Sequence, residues 1–436
     1  MKVEKLTDLD LQRLTRKSYG EDEVLEQRVT AILKRVRDEG EDAIYQLTEE
    51  FDHVNLRQNG LRVSDEEIQE AYQEVSEDFL QALRTAKANI LRYHEKQKRI
   101  SWLEPDSDGS ILGQLLLPLK RVGVYVPGGT ASYPSSVLMN ALPAIVAGVR
   151  EIVMVSPPRV DGTLLPEVLV AAAEAGVTEV YKVGGAQGIA ALAYGTENIF
   201  PVDKITGPGN IYVTLAKKQV FGTVDIDMLA GPSEILILVD ESGCPEELAA
   251  DLLSQAEHDR LASAILVSPS RELLEQTIVA VERQLESLPR VEIARASWET
   301  YGAAILVSDL QEGMDLANKI APEHFELVVE DPYSWLGQVR NVGAVFLGRY
   351  SPESVGDYFA GPNHVLPTGG SARFYSPLNV DMFMKKVSVI GYSEVALKRD
   401  AKQIALLARS EGLEAHARAV EVRFREKEGE NSREKD

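Results

Sequence analysis

A chain of 436 residues exceeds what one hydrophobic core holds, so two or three domains are expected. With 44% hydrophobic and 26% charged residues it reads as globular, no run is apolar for long enough to span a bilayer, and the opening MKVEKLTDLDLQRL lacks the apolar core of a secretory signal, so a cytoplasmic protein is expected. A formal charge of −22 repels nucleic acid and anionic membrane, leaving a small molecule as the expected partner, and the lone Cys244 excludes an internal disulfide framework.

Residues 21 to 98 carry apolar side chains at helical spacing, as in VLEQRVTAILKRVRDEGEDAIYQLTEEF, and residues 1–119 as a whole read as a helical N-terminal region. His53 and His94 fall here and are expected on its solvated surface. From 120 the texture changes to short β-branched runs alternating with alanine-rich helical stretches: RVGVYVP, SSVLMNALPAIVAG, EIVMVSP, LLPEVLVAAAEAG, EVYKVGG, GIAALAYG and VDKITG. A second array follows from 233, with EILILVD, PEELAADLLSQAEH, SAILVSPS, RELLEQTIVAVERQLESL, AILVSD, LQEGMDLANKI, FELVVED and AVFLG. Strands separated by helices of that length require parallel pairing with right-handed crossovers. The expected fold is α/β, with two doubly wound, incomplete Rossmann-like parallel-sheet units at 120–232 and 233–380, although no residue-level repeat is visible. Residues 350 to 380 are too rich in Gly, Pro, Ser and Asn for regular structure and predict a long functional loop. A C-terminal helical arm, 381–436, breaks at SEGL and ends in a tail, EGENSREKD, expected to fray.

Six histidines are present, and His258, His324, His364 and His416 all lie in the later half beside acidic, amide or glycine-rich sequence. In LLSQAEHDR, Gln255 and His258 stand three apart and should leave the same helix face. That pair reads either as a hydrogen-bonded core histidine or as half of a metal site. Imidazole, carboxylate and carbonyl oxygen all suit zinc, but no compact motif joins the four clusters. The turns VGGAQGIA and TGPGNIY depart from the dinucleotide fingerprint G-x-G-x-x-G, so each either holds a phosphate or simply turns the chain. Cys244 is flanked by acids with no basic neighbour in sequence, which favours a structural role over a nucleophilic one.

Taken in order, VGVYVPGGTASYPSSVLMNALPAIVAGV, VGGAQGIAALAYGTE, KITGPGNIYVTLAK, IDMLAGPSEILILVD, LLSQAEHD, APEHFEL, VGDYFAGPNHVLPTGGSARF and EGLEAHARAV strongly resemble histidinol dehydrogenase, from about residue 25 to 420. The resemblance implies oxidation of L-histidinol to L-histidine through an aldehyde, with two NAD reduced in succession. It implies zinc, one per subunit, held by Gln255, His258, Asp357 and His416, with Glu323 and His324 as the acid–base pair. Substrate contacts would fall on Ser233, Glu411 and His364, together with the metal ligands and His324, and NAD contacts on Tyr125, Gln187 and Asn210. It further implies a homodimer whose C-terminal arm is exchanged between subunits. A zinc-dependent hydrolase and a non-catalytic ligand-binding α/β protein are the competing classes; the first leaves the cofactor-type turns without a role.

Overall fold

The computed structural model describes residues 3–5, 14, 23–128 and 133–424; the tail expected to fray lies outside them. The chain forms two compact units, one of Met1–Lys98 with Pro118–Phe383 and a smaller one of Arg99–Leu117 with Met384–Asp436. Both predicted α/β arrays thus share a unit with the N-terminal helices.

In the larger unit the amphipathic region becomes helices Glu23–Glu39, Glu41–Asp52, Leu56–Asn59, Asp65–Glu74 and Glu77–Glu95. Ser64 and Glu67 form a reciprocal capping box and Ser76 caps the next helix, satisfying N–H groups that a helix start leaves open. Val29, Leu33, Val36, Ile44 and Leu47 turn inward and join the core of the first sheet. His53 is exposed, closing a helix in the left-handed conformation. His94, expected at the surface, is fully buried: it continues the inward stripe Leu80, Leu83, Ala86, Ile90. Its Nδ1 lies 2.9 Å from the Ile90 carbonyl and its Nε2 lies 3.5 Å from the Asn363 amide.

Strands β1 (Val3–Lys5), β2 (Trp102–Pro105) and β3 (Ile111–Pro118) also fall where helix was expected. β1 has only three residues, too short for any periodicity to register. β2 and β3 pair antiparallel about a turn in which Gly109, at φ +82°, donates its N–H to the Asp106 carbonyl at 3.0 Å; Asp108-Gly109 was the available hairpin signal.

β4 (Arg121–Tyr125), β5 (Glu151–Val155), β6 (Glu179–Tyr181), β7 (Lys204–Thr206) and β8 (Asp225–Ile226) build a parallel sheet in the order β6-β5-β4-β7-β8. β9 (Glu234–Val239), β10 (Ser263–Ser268), β11 (Ala303–Leu306), β12 (His324–Val328) and β13 (Ala344–Leu347) repeat that order as β11-β10-β9-β12-β13, with β1 added beside β11. Each sheet therefore has a point where the winding reverses, between β4 and β7 and between β9 and β12. β4, β9, β10 and β12 are buried along their whole length, as parallel strands covered on both faces must be.

In the smaller unit, β14 (Met384–Gly391) joins β3 and β2 in one sheet, followed by helices Glu394–Ser410 and Glu414–Glu421. β14 lies within 381–436, the segment expected as a C-terminal helical arm. The break at SEGL is present, with Gly412 at φ +76°. Few apolar side chains are buried here, while Trp102, Leu103, Leu112, Ile390, Leu406 and Leu407 are exposed.

Candidate active site and cofactor cavity

The expected acid–base pair sits where helix Leu310–Ile320 hands over to β12. Ala321 closes the helix in the left-handed region at φ 56°, Pro322 prevents its continuation, and Glu323 and His324 follow, both buried. Parallel pairing sets His324 beside Ile235 of β9 and Ala344 of β13. One residue of β9 then fixes both side chains. The Glu234 N–H donates to Glu323 Oε2 at 3.0 Å, and the Glu234 carbonyl lies 3.1 Å from His324 Nδ1. Around the imidazole, Glu323 Oε2 and Glu353 Oε1 lie 3.6 and 3.7 Å from Nδ1, and Asp357 Oδ1 lies 3.7 Å from Nε2. Burial alone would push the His324 imidazole down, but the carboxylates of Glu353, Glu323 and Asp357 outweigh it and hold the group above its ordinary range. Burial raises the Glu323 carboxyl to about 8, against the His324 charge and the Glu234 N–H.

His258, Glu353 and Asp357 bring one potential ligand atom each within 4.8 Å of one another, the one such metal-capable group among the described residues. The helix expected to carry both Gln255 and His258 ends at Ala256, so His258 lies beyond it and not on its face. A closing turn keeps the two together, with the His258 N–H on the Gln255 carbonyl at 3.2 Å. Gln255 is fully buried and His258 exposed. Asp357 comes from helix Glu353–Tyr358, inside the segment expected to be irregular; six residues between a proline and Phe359 are too few to show a helical period. Glu353, passed over in the sequence, is buried on that helix; its N–H donates to Glu326 Oε1 at 2.8 Å and Ser254 Oγ donates to its Oε2 at 3.3 Å. Its signal was the four-residue spacing to Asp357, which puts both on one face. His364 Nδ1 lies 3.0 Å from the Asp357 carbonyl, and a cavity of about 270 Å³ opens there with Asp357, His364 and Phe346 in its wall. Ser233 is half-buried just before β9, its carbonyl accepting the Ser263 N–H at 3.0 Å. Ser233, His258, Glu323 and His324 therefore gather at the amino ends of β9, β10 and β12. Glu411 and His416 belong to the smaller unit, and this cluster is built without them.

A larger cavity, about 870 Å³, lies beyond the carboxyl ends of β4 to β7, where open α/β sheets bind ligands. Tyr125, Gln187 and Asn210 all line it, Tyr125 and Asn210 at the two strand ends flanking the reversal point. The Tyr125 hydroxyl accepts the Gly185 N–H at 3.1 Å, and burial pushes the phenol up to about 12. Asn210 caps helix Ile211–Val220, accepting the N–H groups of Tyr212 and Val213 at 3.1 and 3.2 Å. Gly207 in TGPGNIY has a role of its own: at φ +111° any Cβ would come within 2.0 Å of the Tyr125 carbonyl oxygen. The opposite wall comes from helices Glu23–Glu39 and Glu41–Asp52, including Arg28, Ile32, Phe51 and Asp52. Sequence reasoning placed no cofactor residue there, because amphipathic helices far from the strand-end turns look like scaffold. Cys244 is half-buried at the start of helix Pro245–Ala256 and lines a small pocket with Asp251, Glu326 and Arg349.

A histidinol dehydrogenase family profile matches residues 14–424. The histidinol dehydrogenase of Moorella thermoacetica is 61% identical over 396 residues, covering 91% of this chain and 93% of its own. That of Bacillus subtilis is 53% identical over 425 residues, covering 98% and 99%. The crystal structure of histidinol dehydrogenase from Elizabethkingia anophelis superposes with a TM-score of 0.91 at 37% identity, over 96% of each chain. No described helix is long and apolar enough to cross a membrane. With 61% identity spread over nine-tenths of both chains, and a shared backbone over nearly all of it, the chain belongs to the histidinol dehydrogenase family.

Proposed function

We propose that this oxidoreductase catalyses the zinc-dependent, four-electron oxidation of L-histidinol to L-histidine through L-histidinal, reducing two NAD in succession, as the last step of histidine biosynthesis. The observation that carries the proposal is a buried Glu323–His324 pair set 3.7 Å from Asp357 in a chain whose relatives are histidinol dehydrogenases along their whole length. In this reading residues 120–232 serve as the cofactor half and 233–380 as the catalytic half.

Two of the expected ligands fit zinc, His258 and Asp357, an imidazole and a carboxylate whose ligand atoms lie within 4.8 Å of each other and of Glu353. Gln255, His258, Asp357 and His416 would hold it. Zinc bound there would orient the substrate's imidazole and amine and, by offsetting the charge of Asp357, bring His324 toward the neutral form that a base requires. His324 is tied through Nδ1 to the Glu234 carbonyl and presents Nε2 toward Asp357, so Nε2 is the nitrogen placed to take the alcohol proton. Glu323 then activates the water that adds to the aldehyde before the second hydride leaves. Ser233, His364 and Glu411 contact the substrate, while Tyr125, Gln187 and Asn210 hold the cofactor.

The protein acts, in this reading, as a homodimer with the C-terminal arm exchanged, and the apolar side chains that the smaller unit exposes support a covered surface there. Neither nucleic acid nor membrane is a partner of a chain with a charge of −22. The test is NADH formation from histidinol and NAD. We expect two NADH per histidinol, loss with a chelator and recovery with added zinc; NADH production indifferent to chelation would remove the metal. His258→Asn should lose bound zinc by elemental analysis and lose turnover while keeping the circular dichroism of the parent.

A further inference from the structure

We propose that Asp52 accepts a ribose hydroxyl of the dinucleotide and so selects NAD over its 2′-phosphorylated form; this rests on the reading of the 870 Å³ cavity as the cofactor site. Doubly wound folds that bind NAD commonly place an acid after the second strand of the unit, where it takes the ribose hydroxyl. Here that strand is β5, paired directly with β4, and it runs out into Ser156-Pro157-Pro158. Pro157 and Pro158 line the cavity and neither can accept a hydroxyl proton through its side chain. An acceptor for the ribose must come from another element.

Asp52 is placed to supply it. It ends helix Glu41–Asp52 on the opposite wall, next to Phe51 and facing the same space as Tyr125 and Gln187. A carboxylate at a helix C-terminus opposes the helix dipole, so its position there has no local justification. Its Oδ2 is buried without a hydrogen-bond partner, whereas buried polar atoms in folded proteins are nearly always paired. Burial raises its carboxyl to about 6, the cost of holding the group ready without a partner. A ribose diol donates to a carboxylate; a 2′-phosphate in the same place repels it. The arginine that could have rescued such a phosphate is committed elsewhere, since Arg35 on this wall pairs with Glu39 at 3.3 Å and Glu50 at 3.9 Å. Arg28, the other cation on the wall, is exposed and lies a helical turn and more before Arg35, where it would serve the pyrophosphate.

The experiment compares the holoenzyme with Asp52→Asn, Asp52→Ala and Gln187→Ala. Calorimetry measures binding of ADP-ribose and of 2′-phospho-ADP-ribose, and steady-state kinetics give the ratio of kcat/KM for NAD to that for NADP. We expect the Asp52 variants to bind ADP-ribose roughly tenfold more weakly and to shift the NAD/NADP ratio at least tenfold toward NADP. Melting temperature serves as the folding control. An unchanged NAD/NADP ratio in both Asp52 variants, with ADP-ribose binding weakened by Gln187→Ala, overturns the role of Asp52 while the cavity stands. If Gln187→Ala and the Asp52 variants all bind ADP-ribose as the parent does, the cavity is not the cofactor site and the inference falls with it.

Discussion

His324 is tied through Nδ1 to the Glu234 carbonyl and turns Nε2 toward Asp357, whereas Glu323 is held through a single carboxylate oxygen by the Glu234 N–H. That difference predicts separable defects. His324→Gln should slow both oxidations by about 10²- to 10⁴-fold, the usual scale for a lost general base. Glu323→Gln should slow oxidation of added histidinal by a similar factor and leave the first hydride transfer much less affected, as read in single-turnover NADH formation; equal damage to both stages would contradict the division. Asp52 gives a pH prediction with a definite sign. Its folded-state carboxyl is raised from 3.8 to about 6, so the stability tied to its protonated form is complete below the ordinary range and is lost as pH rises through about 6. Asp52→Asn should therefore melt higher than the parent above that pH, by what about 1–2 kcal/mol supplies after allowing for partial exposure, and the gap should close as the solution is acidified toward 4. At this scale the residues legible in the sequence were those in long family-like motifs. Glu353 and Asp52 were not, since an acid on a helix looks the same whether it faces solvent or a cavity.

Between residue and molecule, the turns do the positioning. At the end of β7, Gly207 donates its N–H to Asp227 Oδ2 at 2.8 Å and its carbonyl accepts from Lys217 Nζ at 2.9 Å, while Lys217 and Asp227 form a buried ion pair. This one clamp fixes the approach to Asn210 and the close pass over the Tyr125 carbonyl. Gly207→Ala should cost about 2–4 kcal/mol, from the unfavourable backbone conformation and the clash together, and should weaken NAD binding as well. Lys217→Met leaves a buried, unpaired Asp227 and should cost about 3–5 kcal/mol in urea unfolding. Elements were far more legible than sites. Strands such as EILILV and SAILVS are continuous apolar runs because they are buried on both faces, and in the first array helices Pro134–Ala147 and Pro166–Ala175 close at Gly148 and Gly176. What escaped were pieces too short or too exposed to show a period: β1, the β2–β3 hairpin and helix Glu353–Tyr358. The last of these hid Asp357 in an apparent loop.

For the whole molecule, composition suggested several domains and the alternation of elements gave two doubly wound arrays, but their shared unit with the N-terminal helices depends on long-range packing that no local pattern encodes. The same holds for the smaller unit, whose sheet draws β2 and β3 from before the α/β arrays and β14 from after them. It carries Glu411 and His416 and exposes Leu406, Leu407 and Ile390 to solvent in the single chain. An arm that crosses a two-fold axis to complete the partner's site would cover such side chains and create two identical composite sites. His258→Ala and His416→Ala should then each be inactive alone, yet recover when unfolded together and refolded as a mixture. In a hybrid dimer one site collects both lesions and the other collects neither. Random pairing makes about half of the dimers hybrid, each with one of two sites intact, so roughly a quarter of the parental activity should return. If mass spectrometry shows hybrids in the mixture and no activity returns, His416 serves its own chain's site and the exposed apolar face of the smaller unit needs a different cover.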